Sequence, residues 1–126
     1  AFRCDMAEMV PYAFWSYATT EVKRQYPNVL FIGEVYNPSL YRTYIGAGFD
    51  YLYDKVGMYD TMRNVMCAGW PTTTITNAWQ SVDDINDHML YFLENHDEQR
   101  IAISLLQMHA REWLPCFVWL SCATTR

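Results

Sequence analysis

The stretch Val29-Leu30-Phe31-Ile32-Gly33-Glu34 is a continuous apolar run that ends on a carboxylate. Pro27-Asn28 precede it and Asn37-Pro38 follow it, so it reads as a strand buried on both faces. Strands of that kind belong to parallel sheets covered by helices. An acid at the C-terminal end of such a strand stands at the rim, where α/β barrels keep their chemistry. The chain repeats the device. Phe2-Arg3-Cys4-Asp5 closes on an acid, Phe49-Asp50-Tyr51-Leu52-Tyr53-Asp54 is a further candidate strand, and Met89-Leu90-Tyr91-Phe92-Leu93 runs into Glu94-Asn95-His96-Asp97.

Helical patterns fill the gaps between these strands. Pro11 opens a helix that Pro27 closes, with Phe14, Ala18, Val22 and Tyr26 as its apolar stripe and Trp15 beside them. Pro38 opens a short helix with Leu40, Tyr41, Tyr44 and Ile45 on one face, ended by Gly46 and Gly48. A helix over residues 56–67 points Tyr59, Met62 and Met66 inward and stops before Gly69 and Pro71. After the Thr72-Thr73-Thr74 cap, Ile75, Ala78, Trp79 and Val82 give a further stripe, which Asp83, Asp84 and Asp87 bring to an end. Another helix is expected after Asp97. The alternation predicts βαβ units with right-handed crossovers and a parallel sheet, an α/β fold. Four strands cannot close an eight-stranded barrel, and an open half would expose two edge strands. The expectation is a piece of a larger chain, or a unit that pairs with something.

Composition narrows the function. The chain has 126 residues, enough for one domain with a sizeable core. Hydrophobic residues at 52% against 18% charged place it among globular chains. Aromatic residues reach 17%, which suits sugar stacking but serves cores and interfaces equally. Net charge is −5 with no basic patch, which argues against a nucleic-acid partner. No apolar run is long enough to span a bilayer, so no membrane partner is expected. Cys4, Cys67, Cys116 and Cys122 form no Cys-x-x-Cys pair and no metal-site spacing; reduced, mostly buried thiols are expected.

Asp5, Glu34 and Asp97 therefore fall at or just after strand ends that converge on one rim. Any one of them could merely cap a helix. Three carboxylates in register, with Arg3 and His96 adjacent, favour function, because like charges held together raise one another's pKa and leave one acid able to carry a proton.

The residues around these acids resemble a known family. Phe2-Arg3-Cys4-Asp5-Met6-Ala7, Phe31-Ile32-Gly33-Glu34-Val35 and Phe92-Leu93-Glu94-Asn95-His96-Asp97 are similar, in order, to three of the four signatures of the α-amylase family of glycoside hydrolases. Gly48-Phe49-Asp50-Tyr51 looks like the intervening strand. The resemblance implies a partial TIM (β/α)8 barrel, roughly strands 4 to 7 with their helices, over residues 1–102. It implies a retaining enzyme that cleaves α-1,4-glucosidic bonds in α-glucans or maltooligosaccharides by double displacement. Asp5 would be the nucleophile, Glu34 the general acid and then base, and Asp97 the acid that grips substrate hydroxyls. Arg3 would keep Asp5 ionised and aimed, and His96 would hydrogen-bond the sugar. Retention places two carboxyls about 5–5.5 Å apart, one ionised and one protonated.

Departures from the family pattern bear on the reading. The fourth signature and the earlier strands lie outside the sequence. So does the inserted domain that often holds calcium, and no cofactor is implied by the residues present. Glu8-Met9 stand where many α-amylases carry Lys-His, which leaves hydrolysis and glycosyl transfer both open. Residues 103–126 carry no family pattern, and a shifted reading frame would account for that change. A non-catalytic carbohydrate-binding remnant and a structural half-barrel are the other readings. In each of them the fragment by itself is inactive.

Overall fold

The computed structural model describes residues 1–98. Four short strands form one sheet: β1 (Phe2–Cys4), β2 (Phe31–Gly33), β3 (Tyr51–Tyr53) and β4 (Met89–Leu90). They lie in chain order, each parallel to the next. The connections carry helix α1 (Tyr12–Gln25), helix α2 (Tyr41–Gly46), helix α3 (Asp60–Ala68) and helix α4 (Thr73–Gln80). The alternating pattern of the sequence is thus present as a mixed α/β structure with a parallel sheet.

Phe49 is the centre of the core. Its ring meets Trp15 at 5.0 Å, Tyr44 at 6.1 Å and Phe31 at 6.3 Å between centroids. Around it lie buried Val35, Tyr41, Leu52, Val82 and Met89. Gly33 makes this packing feasible. A Cβ on Gly33 would lie 2.8 Å from Leu52 Cδ2 and from Phe49 Cδ1, well inside van der Waals contact. The glycine before Glu34 therefore lets the next connection close onto β2.

Several expectations are corrected. The inward face of α1 is Trp15, Thr19 and Val22, whereas Phe14 and Tyr26 are exposed. Thr19 is the reason: its hydroxyl donates to the Ala47 carbonyl at 2.5 Å and packs where Gly48, at φ 101°, leaves room. The strand expected from Phe49 to Asp54 is only Tyr51–Tyr53, because Phe49 turns into the core and Asp50 caps β2 with its carboxylate. That carboxylate accepts from Phe31 N at 2.7 Å and from Lys23 Nζ at 2.8 Å.

The helix expected over 56–67 begins instead as a π-turn, Lys55–Tyr59, with Tyr59 N donating to Asp54 O. Asp83, Asp84 and Asp87 do not end α4; they lie in a separate 3-10 stretch, Asp83–His88. The last strand stops at Leu90 and does not reach Leu93. Beyond it Phe92 stacks on Tyr59 at 4.9 Å and meets Tyr53 edge-on at 5.7 Å, so ring packing replaces the ladder. Among the thiols, Cys4 is half-buried but Cys67 is exposed. The helix expected after Asp97 and the divergent tail over 103–126 lie outside the described residues. No helix among the described residues is long and apolar enough to cross a membrane.

Candidate active site

The register of β1 against β2 pairs Phe2 with Phe31, Arg3 with Ile32 and Cys4 with Gly33. It places Asp5 and Glu34 side by side, each one residue past its strand. Backbone bonds hold the two ends together: Glu34 N donates to Cys4 O at 3.0 Å, and Ala7 N donates to Glu34 O at 2.8 Å. Glu34 is 2% exposed, which is rare for a carboxylate without partners.

Its partners include one cation and two hydrogen-bond donors. Arg3 Nη2 lies 3.1 Å from Glu34 Oε2. The Met6 amide donates to the same oxygen at 3.0 Å, and the Tyr36 hydroxyl donates to Oε1 at 3.1 Å. Met6 reaches its place through a left-handed backbone, φ 40° and ψ 48°. Among the described residues it is the one non-glycine with positive φ. Such strain persists where the surroundings fix it, often beside reacting groups.

The other arm of Arg3 pairs with Asp5, and its guanidinium lies 5.8 Å from the centre of the Tyr53 ring. One arginine thus joins the ends of β1, β2 and β3. Asp5 is largely exposed, yet its pKa lies below the usual carboxylate value, first through the Arg3 hydrogen bond and with a smaller contribution from His96. The Arg3 bond accordingly favours the ionised form of Asp5.

Asp97 and His96 stand in the loop beyond β4 and are largely exposed, with His96 Nε2 3.1 Å from Asp97 Oδ2. Asn95 shapes that loop by accepting from the amides of Asp97 and Glu98 at 2.9 Å each. Glu98 then ties it inward, 3.0 Å from Lys55 Nζ, and accepts from the Tyr59 hydroxyl at 3.2 Å. Lys55 also pairs with Asp60 at 2.8 Å and sits over the Tyr36 ring at 6.0 Å. The Tyr36 phenol is raised by burial first, then by Glu34, and further by the charge of Asp97.

The structure therefore brings Arg3, Asp5 and Glu34 into one bonded cluster. It places His96 near enough for its charge to act on Asp5, and Asp97 near enough for its charge to act on Tyr36. Sequence reading missed Met6, Tyr36, Lys55 and Glu98. For Tyr36 a signal was present: two residues beyond Glu34, an extended chain returns to the same face. For Lys55 and Glu98 no local signal exists, since they meet only in the fold. Among the described residues no group of three His, Cys, Asp or Glu side chains is placed to hold a metal. Asp84 of the acidic stretch is engaged by Arg42, at 2.6 Å.

Chemically, the cluster offers an exposed ionised carboxylate beside a buried carboxyl, fixed by one shared guanidinium. No protein-family model matches the chain. No curated protein matches it in sequence. Among solved structures, the chain is similar to the crystal structure of an alpha-amylase from Lactobacillus plantarum, with a TM-score of 0.67 and 26% sequence identity. The match covers 85% of this chain and 28% of that amylase, so the chain spans under a third of its length. The relationship is amylase-like in fold.

Proposed function

We propose that residues 1–98 form part of the catalytic barrel of a retaining glycoside hydrolase acting on α-1,4-linked glucans. Asp5 serves as nucleophile, Glu34 as proton donor and then base, and Asp97 as the acid that binds ring hydroxyls. Arg3 keeps Asp5 ionised, and His96 contacts the sugar. The observation that carries this reading is the Arg3 bridge between Asp5 and Glu34 at adjacent ends of β1 and β2. Two carboxyls in unlike environments on one rim are what double displacement requires: one attacks the anomeric carbon, and the other protonates the departing oxygen.

The test is an initial-rate comparison in the protein expressed from the complete open reading frame. An α-glucosyl fluoride departs without protonation, whereas the alkoxide of starch does not. Glu34→Gln should keep activity on the fluoride and lose most of it on starch. Asp5→Asn and Asp97→Asn should lose both. The product anomer, followed by NMR, should match that of the substrate. Fluoride activity kept by Asp5→Asn and lost by Glu34→Gln would reverse the two roles, and an inverted product would reject double displacement.

A second reading, a carbohydrate-binding or structural half-barrel without turnover, is favoured by one observation. The Asp5 and Asp97 side chains are 72% and 49% exposed, more open than a site that excludes water. Binding of maltooligosaccharide without hydrolysis by the complete protein would select it. Transfer of the glycosyl group to a second sugar is distinguished from hydrolysis by the same product analysis.

A further inference from the structure

The loop that carries His96 and Asp97 is held at both ends by one turn. Before it, the Phe92 ring stacks on Tyr59 at 4.9 Å between centroids. After it, Glu98 accepts from the Tyr59 hydroxyl at 3.2 Å and lies 3.0 Å from Lys55 Nζ. Lys55 and Tyr59 are the first and last residues of the π-turn after β3. Asn95 keeps the intervening chain compact by accepting from the amides of Asp97 and Glu98. One planar peptide joins Asp97 to the anchored Glu98, so a shift of Glu98 carries Asp97 with it.

The anchor is shielded from water where the residue it serves is not. The Glu98 and Lys55 side chains are 14% and 17% exposed, against 49% for Asp97. A pair so covered is screened little by salt. Lys55 Nζ also meets Asp60 at 2.8 Å and lies 5.4 Å from the centre of the Tyr59 ring. Burial works against its charge, but hydrogen bonds to Asp60 and Glu98 outweigh burial and hold the ammonium above its ordinary pKa.

We infer that Lys55, acting through Glu98, is a positioning residue that fixes where Asp97 stands on the rim. The inference rests on the glycosidase reading for its use, though not for its geometry. In that reading Asp97 grips ring hydroxyls, so its place matters as much as its charge. Lys55 supplies the place: its ammonium ties the residue after Asp97 to the end of β3, a strand that belongs to the same sheet as β1 and β2.

The test begins with 15N relaxation of the full 126-residue chain. The Asp97 and Glu98 amides should be as ordered as those of α3, with order parameters of about 0.85, and should fall below about 0.6 in Lys55→Met while α3 stays ordered. Lys55→Arg, which keeps the charge and the reach, should restore them. Glu98→Leu removes the anchor from the other side and should loosen the loop alike, even where Lys55→Met does not fold. A loop already loose in the wild-type chain, an unchanged loop in the variants, or a loosening spread equally over α3 would overturn the inference.

In the protein expressed from the complete open reading frame, Lys55→Met should lower kcat/KM by roughly 10- to 100-fold, the scale of a misplaced group. The factor should be the same on the α-glucosyl fluoride and on starch, because Asp97 acts on the ring and not on the leaving group, and Lys55→Arg should recover most of the rate. Unchanged rates, or a loss on starch alone, would also overturn the inference. A loop loosened as expected, in a complete protein that shows no glycoside turnover, would sink the glycosidase reading and leave the Lys55 anchor standing.

Discussion

Arg3 Nη2 lies 3.1 Å from Glu34 Oε2, across the boundary between two parallel strands. The guanidinium is less than a third exposed and the carboxylate nearly sealed from solvent. Arg3 is the cation that faces the buried Glu34 carboxyl, while Arg3 itself is held first by its bond to Asp5. A buried carboxylate that loses its cation loses stability in proportion.

Arg3→Met should accordingly destabilise the chain by about 2 kcal/mol, the scale of leaving a buried polar group without its partner. Urea unfolding at neutral pH measures it, and an unchanged midpoint would show that the bridge contributes nothing. The same variant should raise the Asp5 titration midpoint, since the Arg3 hydrogen bond is the first cause of its depression. An acid with a depressed folded-state pKa adds stability above its unfolded value of about 3.9, and that stability is lost as pH falls through the folded midpoint.

Asp54 gives the opposite sign. It is 1% exposed, accepts from the Tyr41 hydroxyl at 3.0 Å, and has its Oδ2 buried without a hydrogen-bond partner of good geometry. Burial pushes its pKa up, against opposing bonds from Met58, Tyr41 and Gly57. An acid with a raised folded-state pKa binds its proton more tightly on folding. Stability then falls as pH rises from about 3.9 through the folded midpoint and stays low above it. Asp54→Asn should remove that fall and exceed the wild type in stability at pH 7, read as urea midpoints across pH 4 to 8. A parallel decline in both proteins would place the pH dependence elsewhere.

Gly33→Ala should destabilise by about 1–3 kcal/mol, the usual cost of overpacking. Its new methyl would meet Leu52 and Phe49, neither of which has room to retreat in the core. Thermal or urea unfolding checks this. A neutral outcome would mean that β2 and the core ring can part by several tenths of an ångström.

The purified 126-residue chain should release no measurable reducing sugar from starch or maltooligosaccharides. Positioning of reacting groups supplies about 7–11 kcal/mol of barrier reduction in good cases. Asp5 and Asp97 are too exposed here to be held to that tolerance. Detectable release that disappears in Asp5→Asn would overturn this expectation.

The sequence by itself determined the order of elements, the parallel sheet and the placing of Asp5 and Glu34 one residue past their strands. These follow from local signals: apolar runs bounded by Pro and Asn, helical stripes between them, and a carboxylate at a run's end. Local pattern could not set where elements stop. Phe92 leaves the ladder for the rings of Tyr53 and Tyr59, and α1 turns Thr19 inward where its apolar stripe suggested Phe14. Only the tertiary structure decided how Glu34 is held. The cation at residue 3 and the donors at residues 6 and 36 converge on it because β1 and β2 pair in one register and Met6 turns left-handed. The loop carrying Asp97 is likewise anchored by Glu98 on Lys55, a contact between distant segments that no single stretch encodes. Hydrophobic period is written along the chain, whereas the environment of a charge is written by what folds against it.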